Sequence, residues 1–360
     1  LKRTRLGRTN LEISRIVFGS MGRRPSSTGD RIRVIHAAID AGTTTIDTAP
    51  LYDFGEVEEI VGQAIRGRRE GVEILSKVGL RWDGDHGDIL FQFTDESGVR
   101  RAVRRDSRPT AIRSDVEEGL RRLGTDRIEL CQIHHPDPTV PIEESLGELD
   151  RLVCEGKILE IGVSNFSDHE LDSTLGQLSR GSSPLSLASD QLHYSLLTQD
   201  QASTIRPLAR QHGFGLLAYS PLEAGALTDA MLTPERFNAA TRKRSVHFRP
   251  ENAHAIQTAL RESVEPIAAR HEASVTQICL AWLLHQENVD GVIAGASSVE
   301  QVIAHAAVSE LRLEPEEVES IGLRFAGVRI DPMAGQDWRA RVDHFLGRAR
   351  RKLGRILRGG

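Results

Sequence analysis

Short apolar and β-branched runs recur along the chain, each closing on a small or polar residue and each followed by a stretch of helical periodicity. The runs end near Gly19, Asp47, Lys77, His134, Ser164, Gln191, Tyr219 and Gly295. Five of the seven intervals between these ends span 27–30 residues, the length of one strand–helix unit. The other two span 57 and 76 residues, which predicts one unit plus an insertion in each, between residues 78 and 110 and between 222 and 252. Amphipathic helices are predicted over 31–41, 57–66, 112–123, 142–155 and 201–212. Gly42, Gly124, Gly156 and Gly213 follow them, where helices commonly stop on a left-handed residue.

Eight such units in series, with no switch to hairpin spacing, predict an α/β fold of the closed (β/α)8 TIM barrel type rather than an open doubly wound sheet. No G-x-G-x-x-G follows a predicted strand, which removes the main support for a Rossmann domain. Ahead of the first unit, residues 4–6 and 11–14 flank Gly7-Arg8-Thr9-Asn10 and predict an N-terminal β-hairpin closing the bottom of the barrel. Residues 1–324 are assigned to the barrel domain and 325–360 to a C-terminal extension with a basic run over 348–358. That tail reads as solvated or packed on the chain, because Gly347 and Gly354 interrupt the apolar side that a membrane-surface helix would need.

Composition narrows the function classes. A 360-residue chain that is 39% hydrophobic can bury a large core. Its longest apolar run, over 278–284, is about a third of the roughly 20 residues a membrane helix needs. A net charge of −5 disfavours nucleic acid as a partner. Cys131, Cys154 and Cys279 are too few and too scattered for a disulfide framework or a metal knuckle. With no secretory or transit-type pattern at the start, a reducing, cytoplasmic setting is expected.

In this barrel the carboxyl ends of the strands share one mouth, where the active site sits. Asp47, Lys77 and His134 end three different strands, and Tyr52 lies five residues past Asp47. Tyrosine is a poor acid, with a reference pKa of about 10, and a buried ammonium beside it stabilises the phenolate. Lys77 is placed to be that ammonium, Asp47 to keep it charged, and His134 to hydrogen-bond a substrate carbonyl. The product would be an alcohol, provided something supplies hydride. Singly, each residue has an ordinary structural use as a turn former, packing group or solvated charge. Together, at successive strand ends, they point to proton transfer. His134 and His135 suggest a metal, but neighbours on a strand point to opposite sides, so no metal is expected.

The stretches Ile46-Asp47-Thr48-Ala49-Pro50-Leu51-Tyr52 with Gly55-Glu56, Leu75-Ser76-Lys77-Val78, Gln132-Ile133-His134, Ile161-Gly162-Val163-Ser164-Asn165, Gln191, Ala218-Tyr219-Ser220-Pro221-Leu222 and Gly295-Ala296-Ser297 with Gln301 resemble the aldo-keto reductases in order and spacing. The resemblance covers about nine-tenths of the chain. It implies reversible, NADPH-dependent reduction of a small aldehyde or ketone, with Tyr52 as acid, Lys77 and Asp47 tuning it and His134 positioning the carbonyl. It further implies that Ser164, Asn165 and Gln191 hold the nicotinamide carboxamide and that Tyr219 stacks on the ring. The backbone of Ser220, Leu222, Gly225 and Leu227 would pass beneath the pyrophosphate, while Gly295, Ser297 and Gln301 would reach the adenosine phosphate. Ala304 and His305 stand where the family often has an acidic residue followed by Asn.

Arg242-Lys243-Arg244 in the second insertion could meet a 2′-phosphate, which favours NADPH/NADP+ over NADH, with NADH possible. The first insertion is read as a hairpin over the mouth, with Trp82 and Phe54 lining the substrate pocket. Arg81, Arg100 and Arg101 could select an anionic substrate, but exposed arginines are usually just solvated. The rival is a nucleotide-binding regulatory module of the same fold, like the channel-associated β subunits that also resemble this family. An oligomer is compatible with either.

Overall fold

The computed structural model describes residues 2–21, 27–94, 98–180, 185–233 and 245–332. Eight parallel strands close into a barrel: β1 (Ile16–Gly19), β2 (Thr45–Asp47), β3 (Glu73–Val78), β4 (Ile128–Ile133), β5 (Ile158–Ser164), β6 (Leu187–His193), β7 (Gly215–Tyr219) and β8 (Val289–Ala294). Each pairs with its neighbour in sequence, and β8 returns to β1 through Val292 opposite Ile16. Strands covered on both faces read as continuous apolar runs, and every residue of β4 is buried. The expected ends at Gly19, Asp47, Ser164 and Tyr219 match the strand ends, and the rest lie within two residues of them. Gly124 and Gly213 cap the helices Pro109–Leu123 and Asp200–His212 with φ of 63° and 78°.

The N-terminal hairpin pairs Arg3–Arg5 with Glu12–Ser14. Between its strands, Leu6 is fully buried in one apolar cluster with Leu75, Leu130, Ala188 and Leu217, so the hairpin plugs the barrel. Gly7 has φ of +54°, and a Cβ there would lie 2.7 Å from the carbonyl oxygen of Gly213 and 2.9 Å from that of Ala188. Only glycine lets the plug approach so closely.

Backbone contacts group the chain into two units, Leu1–Pro221 with Leu280–Glu314, and Leu222–Cys279 with the residues from Pro315 onward. All eight strands belong to the first. The first insertion, expected as a hairpin, forms three antiparallel strands in the order Leu80–Arg81, Arg100–Arg105, Ile89–Thr94. The second unit carries the short turns Glu223–Gly225 and Asp229–Leu232 and the helices Pro250–Ala259 and Pro315–Ala326. Within it the Asp229 carboxylate accepts from the backbone N–H groups of Val275 (3.0 Å) and Thr276 (3.2 Å). The basic run over 348–358 lies outside the described residues.

In β6, Asp190 is fully buried and neither carboxyl oxygen has a hydrogen-bond partner among the described residues. Burial pushes this carboxyl up to about 8. Between the ordinary aspartate value and that point, the folded chain keeps a proton that the unfolded chain sheds, so stability falls as pH rises through this window. Asp190→Asn cannot titrate. Its unfolding midpoint relative to wild type is therefore expected to be clearly higher at pH 8 than at pH 5, measured by urea denaturation. An equal offset at the two pH values would refute a neutral Asp190.

Candidate active site

Asp47 closes β2 and Lys77 is the penultimate residue of β3. His134 follows β4 directly, its backbone N–H donating to the Val78 carbonyl at 2.9 Å and so carrying the ladder one residue further. Tyr52 opens a tight turn, Tyr52–Gly55, beyond β2. These four residues, expected from three strand ends and one loop, meet in the structure. The Lys77 Nζ donates to both oxygens of Asp47 at 2.7 Å, to the Thr48 carbonyl at 3.1 Å and to the Tyr52 hydroxyl at 3.1 Å. It also stands 5.1 Å from the centre of the Tyr52 ring. The His134 ring approaches Tyr52 edge-on, 6.1 Å between centroids at 80°.

An ammonium has donors only, so the Tyr52 oxygen accepts from Lys77 and its own hydrogen is directed elsewhere. Burial by itself would drive the ammonium down, but the Asp47 carboxylate and the Tyr52 oxygen outweigh it, and Lys77 stays charged, above the usual lysine value. Lys77 does lower the Tyr52 pKa, as a neighbouring ammonium should, but it does not set the net direction. Burial raises the phenol more than the Lys77 charge and hydrogen bond lower it, so Tyr52 stands above the ordinary tyrosine value. The phenol is therefore protonated, the state a proton donor needs, and Lys77 acts by limiting the cost of the phenolate. Burial, then Lys77, then His135 hold His134 well below the usual histidine value, so its imidazole is neutral and carries one N–H.

His134 and His135 do not oppose one another as strand neighbours would, since both lie beyond the end of β4, and their rings stack 5.7 Å apart. Among the described residues no cluster of three or more His, Cys, Asp or Glu could hold a metal.

The residues expected around a nicotinamide form one network beside this centre. Ser164 Oγ donates to the Gln191 carbonyl at 2.8 Å. Asn165 Nδ2 donates to the His134 carbonyl and to Ser164 Oγ, both at 3.0 Å, and Asn165 Oδ1 accepts from the Tyr219 hydroxyl at 2.7 Å. Gln191 Nε2 donates to Asp47 Oδ2 at 2.8 Å, joining the network to the ion pair. Gln191 Oε1 accepts no hydrogen bond among the described residues. This acceptor fits a carboxamide N–H, as the nicotinamide group requires.

Asn165, which accepts from the Tyr219 hydroxyl, and Ser220, which follows Tyr219 in the chain, hold φ of 62° and 52° without being glycine. Gly295 and Ser297 follow β8, where Gln301 Oε1 accepts from the Ser297 N–H at 2.8 Å at the start of the helix Val299–Ala307. In the second unit, Leu227 N–H donates to the Leu222 carbonyl at 3.2 Å around Gly225, whose φ is +99°. Arg242, with the rest of its basic cluster, lies outside the described residues. His305 is buried, and burial lowers its imidazole to about 4.

Two neighbours of the site carried no assigned role in the sequence. Gln132 Oε1 accepts from Gln191 Nε2 at 3.4 Å, and His193 stacks on Tyr219 at 5.3 Å and 14°. Each lies two positions from an assigned residue, Gln132 from His134 and His193 from Gln191; the period-two alternation within β6 could have found His193, whereas His134 lies past the end of β4 and gives no such register for Gln132. Phe54 packs on Trp82 (5.4 Å) and also stacks on Phe93 (5.0 Å) from the inserted sheet. Phe54 and Asp53 both sit in left-handed backbone, and Asp53 pairs with Arg31 at 3.6 Å.

Residues 15–322 match the model of the aldo/keto reductase family. The chain is 31% identical over 338 residues to the aldo-keto reductase YhdN of Bacillus subtilis (strain 168), covering 92% of this chain and 95% of that protein. It is 32% identical over 324 residues to an NADH-specific methylglyoxal reductase of Escherichia coli (strain K12), covering 87% and 95%. Among solved structures it resembles the glycerol dehydrogenase AKR11B4 of Gluconobacter oxydans, with a TM-score of 0.78, 32% identity and coverage of 93% of this chain and 98% of that one. A closed eight-stranded barrel with this sequence match leaves one assignment: the chain belongs to the aldo/keto reductase family, oxidoreductases that act on carbonyl and alcohol groups with a nicotinamide cofactor.

Proposed function

We propose that this protein reduces small aldehydes or ketones reversibly with NADPH, and that Tyr52 delivers the proton. The observation that carries this reading is the Lys77 ammonium bonded at once to Asp47 and to the Tyr52 hydroxyl. Ser164, Asn165, Gln191 and Tyr219 hold the nicotinamide end, with Ser220, Gly295, Ser297 and Gln301 toward the phosphates. Bound there, the reduced nicotinamide supplies hydride to the carbonyl carbon. The neutral His134 donates its N–H to the carbonyl oxygen and fixes its direction. As that oxygen gains charge, Tyr52 gives up its proton to it, and the Lys77 ammonium, held charged by Asp47, stabilises the phenolate left behind. In the oxidative direction the same phenolate takes the proton back from the alcohol. Trp82 and Phe54 form the apolar wall of the substrate pocket.

The preference for NADPH is assigned to the cluster Arg242-Lys243-Arg244, whose guanidinium groups suit a 2′-phosphate. The relative from E. coli is by name NADH-specific, so the two nucleotides must be compared directly. Fluorescence titration should show NADPH bound at least about tenfold more tightly than NADH, and a panel of aldehydes and ketones should consume the reduced nucleotide. Equal affinities would reject the phosphate assignment. Tight binding with no turnover on the panel would reject the reductase in favour of the regulatory reading.

A further inference from the structure

Five arginines line the strands of the first insertion, and the structure disposes of them unequally. Arg81 is consumed by Asp83 (2.6 Å) and Asp115 (2.7 Å), Arg100 by the Gln92 side chain, and Arg104 by the Gly87 carbonyl at 2.9 Å. Arg101 is exposed. Arg105 differs: it is half-buried, and among the described residues its buried Nε has no partner and its one side-chain hydrogen bond runs from Nη1 to the Pro136 carbonyl at 3.5 Å. No carboxylate among the described residues pairs with it. The acids nearby in sequence are engaged elsewhere, Asp106 with Arg108 at 2.7 Å and Asp137 with the Ser107 N–H and Thr139. A guanidinium cannot shed its proton, so Arg105 holds a half-buried charge that has no counter-ion among the described residues. Burying such a charge is costly unless a partner completes it.

Its position says which partner. The backbone around Arg105 is stitched to the mouth ends of both β3 and β4, through Asp106 N–H to the Gly79 carbonyl (3.0 Å) and Ser107 N–H to Asp137 (2.9 Å). After burial, the Arg105 charge is what depresses the His135 imidazole, and that ring stacks on His134. The nicotinamide residues Ser164, Asn165, Gln191 and Tyr219 belong instead to β5, β6 and β7 and the residue after β5. An anion reaching Arg105 thus approaches from the His134 side, where the carbonyl compound sits.

We propose that Arg105 is a specificity-determining residue that binds an anionic group of the substrate. The preferred substrates are then aldehydes or ketones carrying a carboxylate or phosphate a few atoms from the carbonyl, which the planar guanidinium can grip through two N–H groups. This rests on the reductase reading above.

The test compares kcat/KM for matched pairs, succinic semialdehyde against pentanal for the carboxylate and glyceraldehyde 3-phosphate against glyceraldehyde for the phosphate. Wild type should favour the anionic member of at least one pair by about 10- to 100-fold, the scale of a charge-assisted hydrogen bond, and the pair showing it identifies the anion. In Arg105→Met that preference should vanish through KM, with the neutral substrates within about twofold of wild type. Arg105→Lys should keep part of it, and thermal melting should show both variants folded. If wild type reduces the neutral compounds without preferring the anionic ones, or if Arg105→Met slows both members equally, the assignment of Arg105 fails while the reductase stands. If no compound is reduced although NADPH binds, both readings fail.

Discussion

Tyr52→Phe should lower kcat/KM for carbonyl reduction by about 10²- to 10⁴-fold, the usual contribution of a positioned general acid. The substitution removes one hydroxyl and preserves the ring, so the edge contact with His134 and the packing under Lys77 survive. Lys77 retains Asp47 and the Thr48 carbonyl as acceptors, and the ion pair is not broken. NADPH affinity, read by fluorescence titration, should therefore stay within about twofold of wild type. Loss of rate with unchanged binding is the signature of a group used in the transition state. Turnover within a few-fold of wild type would show that the proton comes from another source.

Lys77→Met should damage stability as well as rate. It leaves the buried Asp47 carboxylate with the Gln191 amide as its remaining side-chain donor, and breaking one side of a buried ion pair costs about 3–5 kcal/mol. Urea unfolding should show a loss of that size. A stability effect alone would not place Lys77 in the chemistry, so the decisive measurement is the pH profile of alcohol oxidation, in which Tyr52 acts as phenolate. The sign follows from the opposing influences on Tyr52, where burial raises its pKa and the Lys77 charge lowers it. Without the ammonium, burial acts unopposed and the phenolate forms only at higher pH. The rise of the oxidation rate with pH should shift in the alkaline direction relative to wild type. A profile with its rise unmoved would leave Lys77 as a structural ion-pair partner and detach it from Tyr52.

Both predictions concern groups that the chain itself made visible. The barrel was legible because its signal is local: a buried parallel strand is an apolar run, its helix repeats every 3.6 residues, and a polar residue at the strand end must face the mouth. The alternation rule for His134 and His135 failed for an equally local reason, since β4 stops at Ile133 and the two rings lie beyond the pleat that the rule assumes. The inserted sheet also escaped in detail. Its two-residue strand, Leu80–Arg81, is too short to carry a periodicity and exists only through its pairing with Arg104 and Arg105.

By itself the sequence determined the eight-unit barrel, its hairpin plug, and the four residues Asp47, Tyr52, Lys77 and His134, because strand ends and helix caps are written in neighbouring positions. Tertiary structure alone decided the protonated state of Tyr52, the neutral Asp190, and that the buried Nε of Arg105 has no partner among the described residues. Those outcomes depend on burial and on partners far along the chain, such as Asp115 for Arg81 and Gln191 for Asp47. Charge and solvation are settled by what surrounds a group in space, and a linear pattern does not specify that.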